Sequence, residues 1–379
     1  MDLQTFRALL TDEGRSLLAA LQETGPGGAP SPSATAALRR SSPPALVAAA
    51  EEQVLLRGQA AAKFGEFAPR MYLTPDFVEL SSHLAVAEYK LDRVLDEVGV
   101  VLIDAICLGS GLDALVLSWS HHTTAVDSDP LTVEIAEANA PVANASLFFP
   151  HRGDTAAFDS QGEAVFIDLM RRPGPDGAHD PESYSPPLSW ALDRVRTTGL
   201  GWVRLAPGLA PGAVPDLGRA DEAEWISYAG TVQELVLWFG LLPKPAPVTA
   251  RKATLLPAGV SLTARGLPEP SVRPLGRYVY VPDPAVVHAG LVAEVAEDIA
   301  GGPLDGGGAL LTSDELRQTP FATAYEVTEV LPRGGGGRPR TTAEKAPEAP
   351  EAPPAEFVVA GADGPTTLLA VPVRFPQAP

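Results

Sequence analysis

A single cysteine, Cys107, stands in 379 residues. That excludes an intramolecular disulfide framework and any cysteine-rich zinc site, and its place beside a glycine turn suits a small packing residue better than a nucleophile. Cations are scarce: 28 Lys and Arg stand against 47 Asp and Glu, giving a net charge of −19 and a sequence pI near 4.7. A surface that grips nucleic acid mainly through phosphates needs clustered cations, so DNA binding is not expected, although a local basic groove fits inside an acidic whole. No run approaches the roughly 18 apolar residues of a membrane span, and no basic segment followed by an apolar one opens the chain. Neither a membrane nor export is expected, and the cytoplasm is the expected compartment. The six histidines, His83, His121, His122, His151, His179 and His288, show no metal-ligand spacing. There is no Gly-x-Ser-x-Gly elbow and no Walker loop, which removes serine hydrolysis and P-loop nucleotide hydrolysis.

What is present is centred on residues 100–129. Residues 100–103 form a β-branched, apolar run without alternation, the pattern of a parallel strand buried on both faces. Gly109-Ser110-Gly111 then lets the backbone turn tightly and approach a ligand with no Cβ in the way. A helix is predicted over 112–120 and a second strand over 124–127, with Asp127 at its tip, sixteen residues after Gly111. A βαβ unit would present that carboxylate to ribose hydroxyls.

The rest of the chain divides around this unit. Residues 1–98 read as a helical layer: two short helices within 1–24, then helices over 34–40, 44–67 and from a Thr74-Pro75 cap to about 98. Residues 99–245 alternate strands and helices, with further strands at 145–149, 164–168 and 201–206, and helices at 130–140, 188–197 and near Val214. This spacing predicts a doubly wound, mostly parallel α/β sheet, with 224–228 and 232–239 as antiparallel partners closing its edge. A small α+β module is predicted over 250–332, including a helix over 285–299. Residues 333–356 form a Gly-, Pro-, Glu- and Ala-rich linker that cannot bury enough surface to order itself. An apolar hairpin over 357–379 completes the module. The 45% hydrophobic content supports a core of this size.

Four polar stations follow four successive strands: the glycine turn, Asp127, the Gly153-Asp154 pair, and Asp168 with Arg171-Arg172. In a doubly wound sheet these ends surround one crevice. The row suits S-adenosylmethionine, with methionine and ribose near the glycine turn and Asp127, adenine near Asp154, and the methyl acceptor near Asp168. Plainer readings stand beside these. The glycine turn would serve as a tight connection without ligand. Asp129 before Pro130 reads best as a helix cap, and Asp127 could share that role. Asp154 could be a turn residue and Arg171-Arg172 a solvated pair. Set in a crevice, that pair would contact a phosphate or a purine.

The chain resembles the class I S-adenosylmethionine-dependent methyltransferases, specifically the bacterial branch carrying a C-terminal THUMP-like domain. The resemblance runs through Leu38-Arg39-Arg40, Arg57 with Lys63-Phe64-Gly65, Gly109-x-Gly111-x-Asp113-Ala114-Leu115, Ala125-Val126-Asp127-x-Asp129-Pro130 and Ala138-Asn139. It continues through Arg171-Arg172, Glu224-Trp225-Ile226-Ser227 and Tyr280-Val281-Pro282-Asp283-Pro284-Ala285-Val286. It implies that Asp104, Gly109, Ser110, Gly111 and Asp113 contact the cofactor and Asp127 its ribose. Asp168, Arg171 and Arg172 would form the acceptor side, and a structured RNA would be the substrate. The sequence departs from the family at three places. The acid expected two residues before Cys107 is Ala105, with Asp104 one residue early, and a one-residue slip in a strand turns a side chain to the opposite face. The acceptor motif Asp168-Leu169-Met170-Arg171-Arg172 lacks the family's proline. Glu79-Leu80-Ser81-Ser82-His83 replaces a Glu-Gln-Ala-Thr-Arg stretch. A methyltransferase fold kept as a binding or scaffold module is therefore the alternative. The oligomeric state is not legible.

Overall fold

A computed structural model of the chain describes residues 1–22, 32–97, 99–109, 111–169, 181–184, 186–209, 220–241, 248–304, 310–331, 355–361 and 364–373. The chain divides into two compact units, Met1–Ala223 with Gln233–Thr249, and Glu224–Val232 with Ala250–Pro379.

The first unit opens with helices α1 (Leu3–Leu9), α2 (Asp12–Gln22), α3 (Pro32–Ser41) and α4 (Pro44–Phe64). A 3-10 turn, Gly65–Arg70, leads to α5 (Pro75–Leu80) and α6 (Leu84–Glu97). The alternating part follows as β1 (Leu102–Ile106), α7 (Leu112–Leu117), β2 (His122–Asp127), α8 (Pro130–Asn139), β3 (Phe148–Arg152), β4 (Ala164–Asp168), α9 (Leu188–Thr198) and β5 (Gly201–Leu205). After β6 (Glu222–Tyr228), which passes into the second unit at Glu224, β7 (Thr231–Phe239) returns to the first.

The sheet of this unit runs β3-β2-β1-β4-β5-β7, parallel except for the antiparallel β7. Strands β1, β4 and β5 are buried along nearly all their length and mostly apolar, as central parallel strands are, with Asp104, Asp168 and Arg204 as the charged exceptions. Chain order reverses between β1 and β4, and a doubly wound sheet opens its ligand crevice at the carboxyl ends of such a pair. The expected α/β fold is thus the observed one.

Several boundaries differ from expectation for identifiable reasons. Strand β1 starts at Leu102 because the amides of Val101 and Leu102 donate to the Glu163 carboxylate, at 2.7 and 3.0 Å. The single helix predicted from Thr74 breaks over Ser81–His83. There Ser81 Oγ donates back to the Phe77 carbonyl, a local bond that competes with helix continuation, while Ser82 turns into a buried cluster of charges. Strand β3 begins at Phe148, where it pairs with Thr123 of β2, after a turn with Asn144 at φ 56°. The helix expected near Val214 lies outside the described residues.

The second unit contains the hairpin β8 (Ala250–Leu256) and β9 (Val260–Thr263), then β10 (Tyr278–Pro282), α10 (Pro284–His288) and α11 (Val292–Asp298). It continues with β11 (Gly302–Pro303), β12 (Leu311–Ser313), β13 (Ala322–Leu331), β14 (Ala355–Gly361) and β15 (Gly364–Pro372). A six-stranded sheet runs β11-β12-β10-β13-β15-β14, its described pairs antiparallel, with Val279, Leu304 and Leu368 at the centre of one apolar cluster. The helix predicted over 285–299 is two helices separated at Gly290, whose φ is 65°. The expected linker lies outside the described residues as far as residue 354.

The helical layer fixes the segment that enters α5. Two amide side chains each satisfy both backbone groups of one residue. Gln53 of α4 donates to Leu73 O at 2.6 Å and accepts from Leu73 N at 2.8 Å; Asn139 of α8 does the same for Tyr72, at 2.9 and 2.7 Å. Arg57 adds a bond to Met71 O at 2.8 Å. Replacing Asn139 by Ala strands a buried amide and a buried carbonyl, so denaturant titration of Asn139→Ala is expected to show a loss of about 2–4 kcal/mol. A loss under about 0.5 kcal/mol would mean that Tyr72 finds other partners.

Candidate active site

A crevice of about 380 Å³ opens over the carboxyl ends of β1, β2 and β4. Its lining includes Gly109, Asp127, Asp129 and Asp168 on the sheet side, and Thr74, Asp76, Phe77 and Leu80 of the α5 region opposite them. The volume falls in the range of roughly 300–1,000 Å³ usual for small-molecule sites.

The loop after β1 is shaped by backbone conformation. Cys107, Gly109 and Gly111 have φ of 58°, 58° and 77°, so three alternate residues are left-handed. At Gly109 an added Cβ would lie 2.9 Å from Asp168 Oδ2, and at Gly111 it would lie 3.3 Å from Ala136 of α8. The first contact brings the bare glycine backbone and the Asp168 carboxylate together at the reversal point of the sheet. Cys107 is buried and takes the strained conformation as the small residue that begins the loop.

Asp127 accepts the Asp129 amide on Oδ1 at 2.9 Å and still lines the crevice. Asp129 caps α8, accepting from the amides of Leu131 and Thr132 at 3.2 and 3.1 Å, as the plainer reading of Asp129-Pro130 expected.

Three expected cofactor contacts are placed elsewhere. Asp104 is buried away from the crevice, where one oxygen, Oδ2, accepts from Ser160 Oγ, Gln161 N and Gly162 N at 2.5, 2.8 and 2.7 Å. It braces the loop before β4, in keeping with the one-residue slip that turns it to the other face. Asp113 is buried and points down into a charge cluster. Asp154 is exposed, accepts the Ala156 amide at 2.9 Å as a turn residue does, and does not line the crevice. Ser110, Arg171 and Arg172 lie outside the described residues. Among the described residues no group of three or more His, Cys, Asp or Glu could hold a metal ion.

The charge cluster beneath the crevice was not foreseen. Lys90 of α6 contacts Glu234 of β7 at 2.5 Å and Asp113 at 2.6 Å. Arg204 of β5 donates Nε to Glu234 at 2.6 Å, Nη1 to Asp168 Oδ2 at 3.0 Å and Nη2 to the Leu80 carbonyl at 2.8 Å. The Ser82 hydroxyl accepts from Lys90 and lies 2.7 Å from Glu234 and 2.8 Å from Asp113, giving its one proton to either acid at a time. All these side chains are buried. Burial works against the Glu234 carboxylate, yet Lys90 and Arg204 bring it down to about 2. Burial likewise opposes the Arg204 guanidinium, but Asp168, Glu234 and Asp113 hold it above its ordinary value. The available signal was a charged residue inside an otherwise apolar strand, Arg204 in Gly201–Leu205 and Glu234 in Thr231–Phe239.

Known proteins of similar sequence show the family. Over 290 residues the chain is 31% identical to an uncharacterised S-adenosylmethionine-dependent methyltransferase of Mycobacterium tuberculosis, found in strains CDC 1551 and H37Rv, covering 73% of this chain and 76% of that protein. The chain belongs to the S-adenosylmethionine-dependent methyltransferases. S-adenosylmethionine is accordingly the cofactor of this methyltransferase. A crystal structure described as a methyltransferase from Porphyromonas gingivalis W83 shares the fold, with a TM-score of 0.68 over 96% of this chain and 99% of that one, at 18% identity. Residues 2–60 of the methyltransferase also match a family described as a domain of unknown function, DUF8688, which spans α1 to most of α4.

The crevice fits that cofactor on its own geometry. Gly109 lines it with a left-handed backbone that carries no side chain, a carboxylate stands at the tip of β2, and its volume suits a nucleoside carrying an amino-acid tail. Gly109→Ala would combine a left-handed backbone with a Cβ against Asp168. Calorimetric titration of this variant is expected to show affinity for S-adenosylmethionine reduced at least about tenfold, and unchanged affinity would place the ligand away from the loop.

Proposed function

We propose that the methyltransferase binds S-adenosylmethionine with its ribose against Asp127 and its methionine end along the Gly109 loop, and that Asp168 orients the methyl acceptor. The observation that carries this reading is the approach of Asp168 Oδ2 to the bare Gly109 backbone at the β1/β4 reversal. When bound, the cofactor supplies an electrophilic methyl group on a sulfonium. The chain contributes position: β1 and β4 set the glycine loop and Asp168 side by side, and α5 closes the opposite wall with Phe77 and Leu80. Holding two reactants in line is worth several kcal/mol of barrier by itself. Asp168 accepts a hydrogen bond from the acceptor group and so selects one that carries an N–H or O–H.

The acceptor in this reading is a structured RNA, and the second unit is its THUMP-like module; both rest on the resemblance carried by Glu224-Trp225-Ile226-Ser227 and Tyr280–Val286. Charge limits how the RNA would be held. The described cations of that unit are engaged with protein groups: Arg251, Arg265 and Arg273 with carbonyl oxygens, and Lys252, Arg277 and Arg317 with glutamates. As far as the described residues go, recognition would therefore lean on shape and on a base entering the crevice, with few phosphate contacts from them.

The test is transfer of labelled methyl from S-adenosylmethionine to unmodified bacterial RNA, with DNA and protein extracts alongside. The expected result is label in RNA, with Asp168→Asn lowering kcat by about 10²-fold while affinity for S-adenosylhomocysteine holds. Label in protein or DNA alone would overturn the RNA assignment, and full activity in Asp168→Asn would overturn the role of Asp168.

A further inference from the structure

Arg204 does not line the crevice, yet it joins two residues that do. Its Nη1 is 3.0 Å from Asp168 Oδ2 on the sheet side, and its Nη2 is 2.8 Å from the carbonyl of Leu80, the last residue of α5 on the opposite wall. Its Nε, 2.6 Å from Glu234, anchors the fork in the core. The guanidinium is planar and offers donors in fixed directions, so one side chain sets the separation and rotation of three partners at once. A lysine at this place would offer a single point of charge.

We propose that Arg204 is a positioning residue for methyl transfer: it fixes the Asp168 carboxylate in place, balances its charge, and ties it to the α5 wall of the crevice. The proposal rests on the role given to Asp168 above. The groups around Asp168 determine what removing Arg204 does. Behind Arg204 stand Glu234 of β7, Lys90 of α6 and Asp113 of α7, and Lys63 of α4 faces the same cluster, held down to about 8 by burial and by Arg204. On the crevice side stand Asp76, Asp127 and Asp129. Among the described residues, carboxylates therefore outnumber cations near Asp168. Without Arg204, Asp168 loses the guanidinium contact at 3.0 Å and retains acids on both sides. Burial and like charge then favour its protonated form at higher pH. Below that pH it becomes neutral, and a crevice that has lost a negative charge binds the sulfonium cofactor more weakly, while S-adenosylhomocysteine, with no charge on sulfur, is little affected.

The experiment is calorimetric titration of the full chain with S-adenosylmethionine and S-adenosylhomocysteine between pH 6 and pH 8, with folding checked by circular dichroism. For Arg204→Met the expected result is a loss of about tenfold in S-adenosylmethionine affinity from pH 8 to pH 6, with less than about twofold change in the unsubstituted protein. Affinity for S-adenosylhomocysteine stays level in both. Relative to the unsubstituted protein, which shows any contribution of Lys63, the double variant Arg204→Met, Asp168→Asn loses the pH step, because the carboxylate that acquires it has gone. A flat profile for Arg204→Met, or a step that survives in the double variant, overturns the proposal. If Arg204→Met does not fold, Arg204→Lys carries the test, with a smaller step in the same direction expected and a flat profile again decisive against it. Full methyl transfer by Asp168→Asn alone would remove the role of Asp168 instead and leave the pH step as it is, so the two failures are distinguishable.

Discussion

The buried contact between Arg204 and Glu234, with Lys90 on the other oxygen of the same carboxylate, is the constraint on which the site depends. Placing these charges out of water costs several kcal/mol per ion, recovered only when every group is paired. Here the pairing is dense: Glu234 meets two cations, Arg204 meets two acids and a carbonyl, and Ser82 links Lys90 to the acids. Apolar side chains of similar volume could fill such a space at comparable stability. What they could not supply is direction. The cluster takes one residue from each of β4, β5, β7, α6 and α7 and holds them at fixed separations under the crevice floor.

The same cluster explains the wall facing the sheet. The chain from Thr74 onward would continue as one helix by local propensity, but Ser82 is drawn into the cluster and the Leu80 carbonyl is taken by Arg204. The helix ends, and α5 becomes a short separate element. Upstream, Gln53 and Asn139 pin residues Leu73 and Tyr72. The crevice wall is thus fixed at both ends, by amide pairs before it and by charges after it.

Much of the sheet was legible in the sequence because parallel strands buried on both faces are apolar along their length and the glycine turn stands between two of them. β4 needed only its own residues, and Thr74 with Pro75 announced the start of α5. The end of α5 was not legible: its cause is Arg204, 124 residues away, and no local pattern records that contact. Asp104 and Asp113 show the same limit from the other side. Both sit beside the glycine turn in sequence, yet the first is turned away by strand alternation and the second by the inward face of α7. Asp168 stands out in the sequence as an acid at a strand end, whereas its partner Arg204 falls inside the strand predicted over 201–206, with nothing local to pair the two.

The most direct measurement is a crystal structure of the protein grown with S-adenosylhomocysteine. The ribose hydroxyls are expected within hydrogen-bond distance of Asp127, the sulfur beside the Gly109 loop, and Asp168 still paired with Arg204 on the acceptor side. A ligand bound away from the carboxyl ends of β1 and β2, or an Asp168 that leaves Arg204 when the crevice fills, would contradict it.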